Sequence, residues 1–187
     1  NHSISNLSIN LLRKKIGIVS QESFLFNATI YENITYGVKN PSMEDVEQTL
    51  QQSQCKEFVD RLPKGLDTFV GERGQILSGG QRQRISIART LMRKPKIIIF
   101  DEATSSVDNK TEQLIQMAIF EIIKKRTSII IAHRLSTIRN CNNIFVLNQG
   151  DIIEEGNHDD LISDQSSYYS KLWKIQTGTL FHHRQMI

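Results

Sequence analysis

Two textures of hydrophobic and polar residues divide this chain. From Lys96 onward, unbroken apolar runs alternate with stretches of helical period. KIIIF (96–100) and TSIIIAH (127–133) lack in–out alternation and predict strands buried on both faces. NIFVL (143–147) predicts a further strand, and DIIEEG (151–156) can pair with it across a turn at Asn148–Gly150. NKTEQLIQMAIFEIIKK (109–125) sets Leu114, Ile115, Ala118, Ile119, Ile122 and Ile123 along one helical face. RLSTIRN (134–140), HDDLIS (158–163) and YYSKLWKIQ (168–176) predict shorter helices.

The N-terminal half reads differently. KKIGIV (14–19) is a strand ending in Ser20-Gln21, and from Ser23 to Pro95 the pattern turns helical and polar. SMEDVEQTLQQSQ (42–54) opens on a serine suited to cap a helix, and RLPKGLDTFVGERGQIL (61–77) reads as loop. The helix after Ser78 carries Ile85, Ala88 and Met92 on one face, with Arg89, Arg93 and Lys94 near a C-terminus that favours cations, and Pro95 stops it. Strand–helix alternation predicts an α/β fold around a parallel sheet. The expected organisation is a core of residues 1–22 and 96–187 with a helical subdomain, 23–95, inserted into it.

Composition narrows the class. The 187 residues are 39% hydrophobic and 23% charged, an ordinary globular balance. A net charge of +3, with basic residues mostly scattered, does not call for nucleic acid, and none is expected as a partner. Cys55 and Cys141 are far apart with no CxxC, which suggests neither a disulfide framework nor a zinc site and fits a reducing, cytosolic setting. No apolar run approaches the ~18 residues of a membrane span, and no signal peptide is evident. The N-x-[ST] triplets NAT, NIT and NKT read as chance in an Asn/Ser/Thr-rich chain. Without an initiator methionine, the chain reads as a piece of something longer.

Ligands of open parallel sheets collect beyond the C-terminal strand ends. Three predicted strands end in chemistry: Gln21, the pair Asp101-Glu102, and His133. A carboxylate pair there suits a hydrated Mg²⁺ and an oriented water. Each also has a plain alternative: a helix-capping acid pair, a surface glutamine, a core histidine. LSGGQ (77–81) adds Ser78, Gly79 and Gly80 at a helix start, where free N–H groups and the dipole attract phosphate. Yet no Gly-Lys pair, the usual companion of such a cradle, occurs anywhere.

These elements together resemble the nucleotide-binding domain of ABC (ATP-binding cassette) proteins, a P-loop NTPase fold. LSGGQ matches the family's signature, IIIFDE its Walker B strand and SSVD (105–108) its D-loop. IAHRLSTI matches the switch-histidine segment, and IGIVSQESFLFNATIYENI the Q-loop with its following stretch. All five occur in the family's order over nearly the whole chain. The resemblance implies that two such domains dimerise head to tail, each signature closing over ATP held by its partner's P-loop. The absent lysine then belongs to the other molecule. It further implies that Asp101 holds Mg²⁺ through water, with Gln21 sensing metal and γ-phosphate. Glu102 would be the general base, and His133 would contact the γ-phosphate. Ser78, Gly79, Gly80 and Gln81 would act in trans, and Asp108 would sit at the dimer seam.

The family's P-loop and adenine-stacking aromatic precede the Q-loop, and the 20 residues before Gln21 contain neither. The expectation is truncation, with ATP hydrolysis belonging to the full-length protein and not to this fragment. FVGERGQ (69–75) and ESFLFNATIYENI (22–34) resemble the exporter segments that meet a transmembrane domain. A motor domain of a membrane exporter, on the cytoplasmic face, is therefore expected. The alternative is a soluble ABC ATPase acting on nucleic acid or the ribosome, which calls for heptads, zinc cysteines or a second cassette. A non-catalytic module is disfavoured by Asp101-Glu102 and His133. The transported substrate is not legible, and neither is the tail TLFHHRQMI, whose His182 and His183 lack metal-site spacing.

Overall fold

Three strands, β1 (Ile16–Val19), β2 (Ile97–Asp101) and β3 (Thr127–Ile131), form a parallel sheet in that spatial order. The computed structural model describes residues 3, 6–103 and 108–178. His182, His183 and most of SSVD (105–107) lie outside the described residues. The chain divides into two compact units, residues 1–131 and 132–187.

Helices α5 (Gly79–Met92) and α6 (Asn109–Ile123) close one face of the sheet. Val19, Ile98 and Phe100 pack there with Ile87 and Leu91 of α5 and Ile115, Ile119 and Ile122 of α6. The helix α5 lies so near β1 that a Cβ on Gly17 would stand 2.5 Å from Thr90 Cγ2. Burial on both strand faces, expected from the unbroken apolar runs, is not what the sheet shows. Ile98 and Phe100 are buried, but Ile18 is 58%, Ile129 52% and Ile131 50% exposed. The register lines Ile18, Ile99 and Ile129 up on that opposite face. An apolar run signals two hydrophobic faces; it does not say that both are covered.

A second core gathers α2 (Ile30–Thr35), α3 (Met43–Gln52) and α4 (Lys56–Asp60) around the other side of α5. Leu25, Ile30, Ile34, Val46, Leu50 and Val59 pack there against Ile85, Ala88 and Met92. The one face read from sequence is thus joined by a second, Ile87 and Leu91, and α5 serves two cores at once. Burying each such side chain contributes roughly 1.5–3 kcal/mol. Ser42 caps α3 as expected, accepting from the Asp45 N–H. The 61–77 loop holds two 3₁₀ turns, Gly65–Asp67 and Glu72–Gly74. Sequence reading missed α1 (Ile9–Lys15), a helix with no buried residue that directly precedes β1.

The second unit holds α7 (Leu135–Ile138), β4 (Ile144–Asn148), β5 (Asp151–Gly156), α8 (His158–Ser163) and α9 (Tyr168–Gln176). β4 does not extend the parallel sheet; it pairs antiparallel with β5 in a separate two-stranded sheet, turning through Gln149 and Gly150 at positive φ. Leu135, Ile144, Val146, Leu161 and Tyr169 form its core. Among the described residues, no helix is long and apolar enough to cross a membrane.

Candidate functional site

The C-terminal end of β2 carries the first set of candidate residues. Asp101 ends the strand opposite Ile131, and Glu102 follows with its N–H donating to the Ile131 carbonyl at 2.9 Å. Glu102 adopts φ +46, a left-handed conformation uncommon outside glycine that turns the chain at once off the strand. Its Oε2 accepts from Nε2 of Gln21, just beyond β1, at 2.7 Å. Two residues 81 apart in sequence thus meet because their strands are adjacent and parallel.

The donors here are carboxylate and amide oxygens, the kind that suit Mg²⁺. Among the described residues no three His, Cys, Asp or Glu side chains converge on one point. Mg²⁺ does not require that, since it takes one or two carboxylates and completes its shell with water and phosphate oxygens. The residues present therefore fit that ion.

The second set stands at two helix starts. Ser78 caps α5 through a reciprocal pair: Gln81 N–H donates to Ser78 Oγ at 3.3 Å and Ser78 N–H to Gln81 Oε1 at 2.9 Å. No acidic residue lies in the first turn of α5. Asp108 caps α6, accepting from the Thr111 N–H at 3.0 Å, and Thr111's hydrogen bonds hold its carboxyl below the usual range. The two starts are in close contact, because a Cβ on Gly80 would stand 1.8 Å from Thr111 Cγ2. Gly80 is buried, so packing on α6 gives it a reason to be glycine that the sequence did not reveal.

His133 belongs to the second unit, exposed just before α7, with its carbonyl accepting from Gln176 Nε2 at 2.6 Å. The described contacts bring Gln21 and Glu102 together beside Asp101, and Gly80 beside the helix that Asp108 caps.

A family model described as ABC transporter matches residues 1–105. The chain belongs to the ABC transporter family. It is 44% identical over 177 residues to ABC transporter B family member 21 of Arabidopsis thaliana, covering 95% of this chain and 14% of that protein. It is likewise 44% identical, over 97% of its length, to a mitochondrial iron-sulfur clusters transporter of Rattus norvegicus, 24% of which it covers. A solved bacterial Atm1-family ABC exporter with ATP bound superposes with a TM-score of 0.85 at 45% identity, over 93% of this chain and 30% of that one. The chain thus spans less than a third of the length of these relatives.

Within this ABC fold, several residues that hold the site together escaped sequence reading. Arg89, expected to serve the C-terminal dipole of α5, instead turns toward the segment after Gln21. It donates to the Asn33 carbonyl at 2.9 Å, to Asn33 Oδ1 at 2.6 Å and to the Phe24 carbonyl at 2.9 Å. Asn33, fully buried, itself bonds the backbone of Phe26 and Thr29. Leu25 and Ile30 are core, whereas Phe24 is 54% and Tyr36 57% exposed, flanking Phe26. Gln83 ties α5 to the Ser20 carbonyl at 3.3 Å, next to Gln21. A buried polar residue inside an otherwise apolar helix face is the only hint the sequence offered.

Proposed function

We propose that these 187 residues are the C-terminal part of the ATP-hydrolysing motor domain of an ABC exporter, coupling ATP binding, head-to-tail dimerisation and hydrolysis to export. The observation that carries this reading is the Gln21–Glu102 contact at the C-terminal end of the parallel sheet, 2.7 Å long, with Asp101 alongside.

In this reading Glu102 takes a proton from the water that attacks the γ-phosphate, and Gln21 holds the Glu102 carboxylate and orients it. His133 donates toward the γ-phosphate. Asp101 and Gln21 are the residues that would hold Mg²⁺, which when bound neutralises charge on the phosphate oxygens. Ser78 Oγ and the first N–H groups of α5 meet the γ-phosphate of a second domain, and Asp108 lies at the seam. In this reading hydrolysis belongs to the full-length protein and is not expected of these 187 residues, which carry no G-x-x-x-x-G-K-[ST] motif. Phosphoryl transfer asks little else of a protein than position and charge.

A groove of about 460 Å³ is lined by Glu22, Phe24, Tyr36, Ser86, Arg89 and Arg93, among others. Its exposed Phe24 and Tyr36 beside Arg93 support docking of a short helix end from a transmembrane domain, and in this reading the domain works on the cytoplasmic face of a membrane.

The test is Glu102→Gln in the full-length transporter. Turnover falls roughly 10²–10⁴-fold while ATP affinity persists. Nucleotide-binding domains carrying the change elute as a dimer with Mg-ATP, and wild type elutes mainly as monomer. Near wild-type turnover would remove Glu102 from the role of base.

A further inference from the structure

The mechanism above leaves one buried cation without a task. Arg84, one turn into α5, is only 7% exposed, and burial pulls its guanidinium below the usual arginine range. Long cations are almost never buried to this extent unless their donors are spent on specific partners. Here they are. Nε donates to the Gly80 carbonyl at 3.3 Å and Nη1 to the Gln54 carbonyl at 2.7 Å, while the guanidinium plane lies 4.7 Å from the centre of the Phe58 ring.

Each partner is itself constrained. Gln54 holds φ +58, a left-handed turn between α3 and α4 that points its carbonyl at Arg84. Phe58 belongs to the helical core. Gly80 sits against Thr111 so closely that no Cβ fits, and the Thr111 N–H donates to Asp108. A continuous chain of contacts therefore runs from the α3–α4 turn through Arg84 and Gly80 to Thr111 and Asp108. Asp108 lies close enough for its charge to favour the protonated guanidinium.

We propose that Arg84 is a positioning residue that ties the first turn of α5 to the α3–α4 turn and thereby holds Gly80 in place against Thr111 of α6, so that Ser78 and Asp108 face a second domain as one rigid edge. It acts through Gly80 and does not touch nucleotide. The inference rests on the reading that Ser78 and Asp108 work across a domain seam. A fork with two carbonyls and an aromatic face suits arginine in a way that lysine's single ammonium cannot match. Loss of this tie frees the first turn of α5 from the α3–α4 turn and lets its cap shift on the start of α6. Small displacements of positioned groups are costly in rate.

The experiment uses the full-length transporter with three variants: Arg84→Met, which keeps the packing volume of the stem, Arg84→Lys, and Asp108→Asn. Steady-state ATPase rates are measured alongside nucleotide affinity. Arg84→Met is expected to lower kcat roughly 10–100-fold with KM for ATP within about twofold of wild type. The Arg84→Met, Asp108→Asn double variant should lose no more than the worse single, because both break one chain of contacts. A merely structural arginine would instead give multiplicative losses in that cycle, and this result overturns the proposal. So does a kcat for Arg84→Met within about twofold of wild type. If the methionine variant does not fold, Arg84→Lys is read in the same cycle, with a loss in the same direction expected and a wild-type rate counting against the clamp. Ser78→Arg separates the two levels of inference. If it silences turnover while Arg84 variants do not, only the clamp fails; if it leaves turnover intact, the cross-domain reading fails and takes the clamp with it.

Discussion

The helices α2 and α5 begin with the same hydrogen-bonding device and differ by one charge. At α2, Thr29 Oγ1 accepts from the Glu32 N–H at 3.1 Å and Glu32 Oε2 accepts from the Thr29 N–H at 2.8 Å. At α5, Ser78 and Gln81 make the same two bonds. Glu32 brings a carboxylate to a positive helix end, and Thr29's hydrogen bonds hold that carboxyl below the usual glutamate range. Gln81 satisfies the identical donor with a neutral amide. First-turn acids also mark α3, α4, α6 and α8, whereas α5, like α1, α7 and α9, has none. Satisfying the free N–H groups of a helix start and neutralising its dipole are thus separable tasks. At α5 only the first is done, which leaves the positive end available to an anionic group.

The comparison can be broken most decisively at the cap serine. In the full-length transporter, Ser78→Arg is expected to lower ATPase turnover by roughly 10²–10³ while ATP affinity of the monomeric domain stays intact. Thr29→Arg should cost only the cap, about 1 kcal/mol in a denaturation curve, with turnover retained. Equal losses of affinity and turnover for Ser78→Arg would mean that α5 serves its own domain's nucleotide. Next in size is Gly80→Ala, whose Cβ collides with Thr111 Cγ2. Thermal or urea unfolding should register about 1–3 kcal/mol of destabilisation. Adding Thr111→Ser, which deletes that methyl, should recover much of it; no recovery would show that the strain lies elsewhere.

Gln81→Glu copies the α2 device onto α5 and sharpens the contrast. Stability should rise by about 0.3–1 kcal/mol, because an acid now faces the dipole. Turnover should fall roughly 5–30-fold, the equivalent of ~1–2 kcal/mol of lost attraction for phosphate. A stabilised protein with undiminished turnover would show that the open dipole at α5 has no role. The smallest effect belongs to the reverse exchange, Glu32→Gln. Because the Glu32 carboxyl titrates below its unfolded value, its contribution is complete above that value and fades as pH falls through the folded one. The stability gap between wild type and Glu32→Gln should therefore be present at pH 7, start to shrink as pH falls through the ordinary glutamate range and close only below the lowered folded value, in urea titrations across that range. ATP affinity should not change at any pH.

Much of the candidate site was legible in the sequence, because motif order along the chain encodes strand ends and helix starts. Gln21, Asp101, Glu102, Ser78 and Asp108 each lie at an element boundary that the apolar pattern marks. The short helices α8 and α9 fall where HDDLIS and YYSKLWKIQ predict them. What escaped were long-range polar ties. Arg89 read as a dipole cation because its spacing from the helix end allowed that, and nothing local pointed to Asn33, 56 residues away. The helix α1, with no buried residue, has no apolar face to announce it. The pairing of β4 with β5 was legible from the turn between them, whereas their separation from the parallel sheet was not, because an apolar run predicts a strand without naming every neighbour.

By itself the sequence determined most of the element types and the family, and it named the candidate groups for chemistry, since these depend on local period, capping and motif spacing. The tertiary structure alone decided which of those groups meet. Adjacent parallel strands bring Gln21 to Glu102, and a glycine too crowded for any side chain draws the start of α5 onto α6. Such pairings are settled by which apolar faces pack together, and packing depends on the shape and register of distant segments at once.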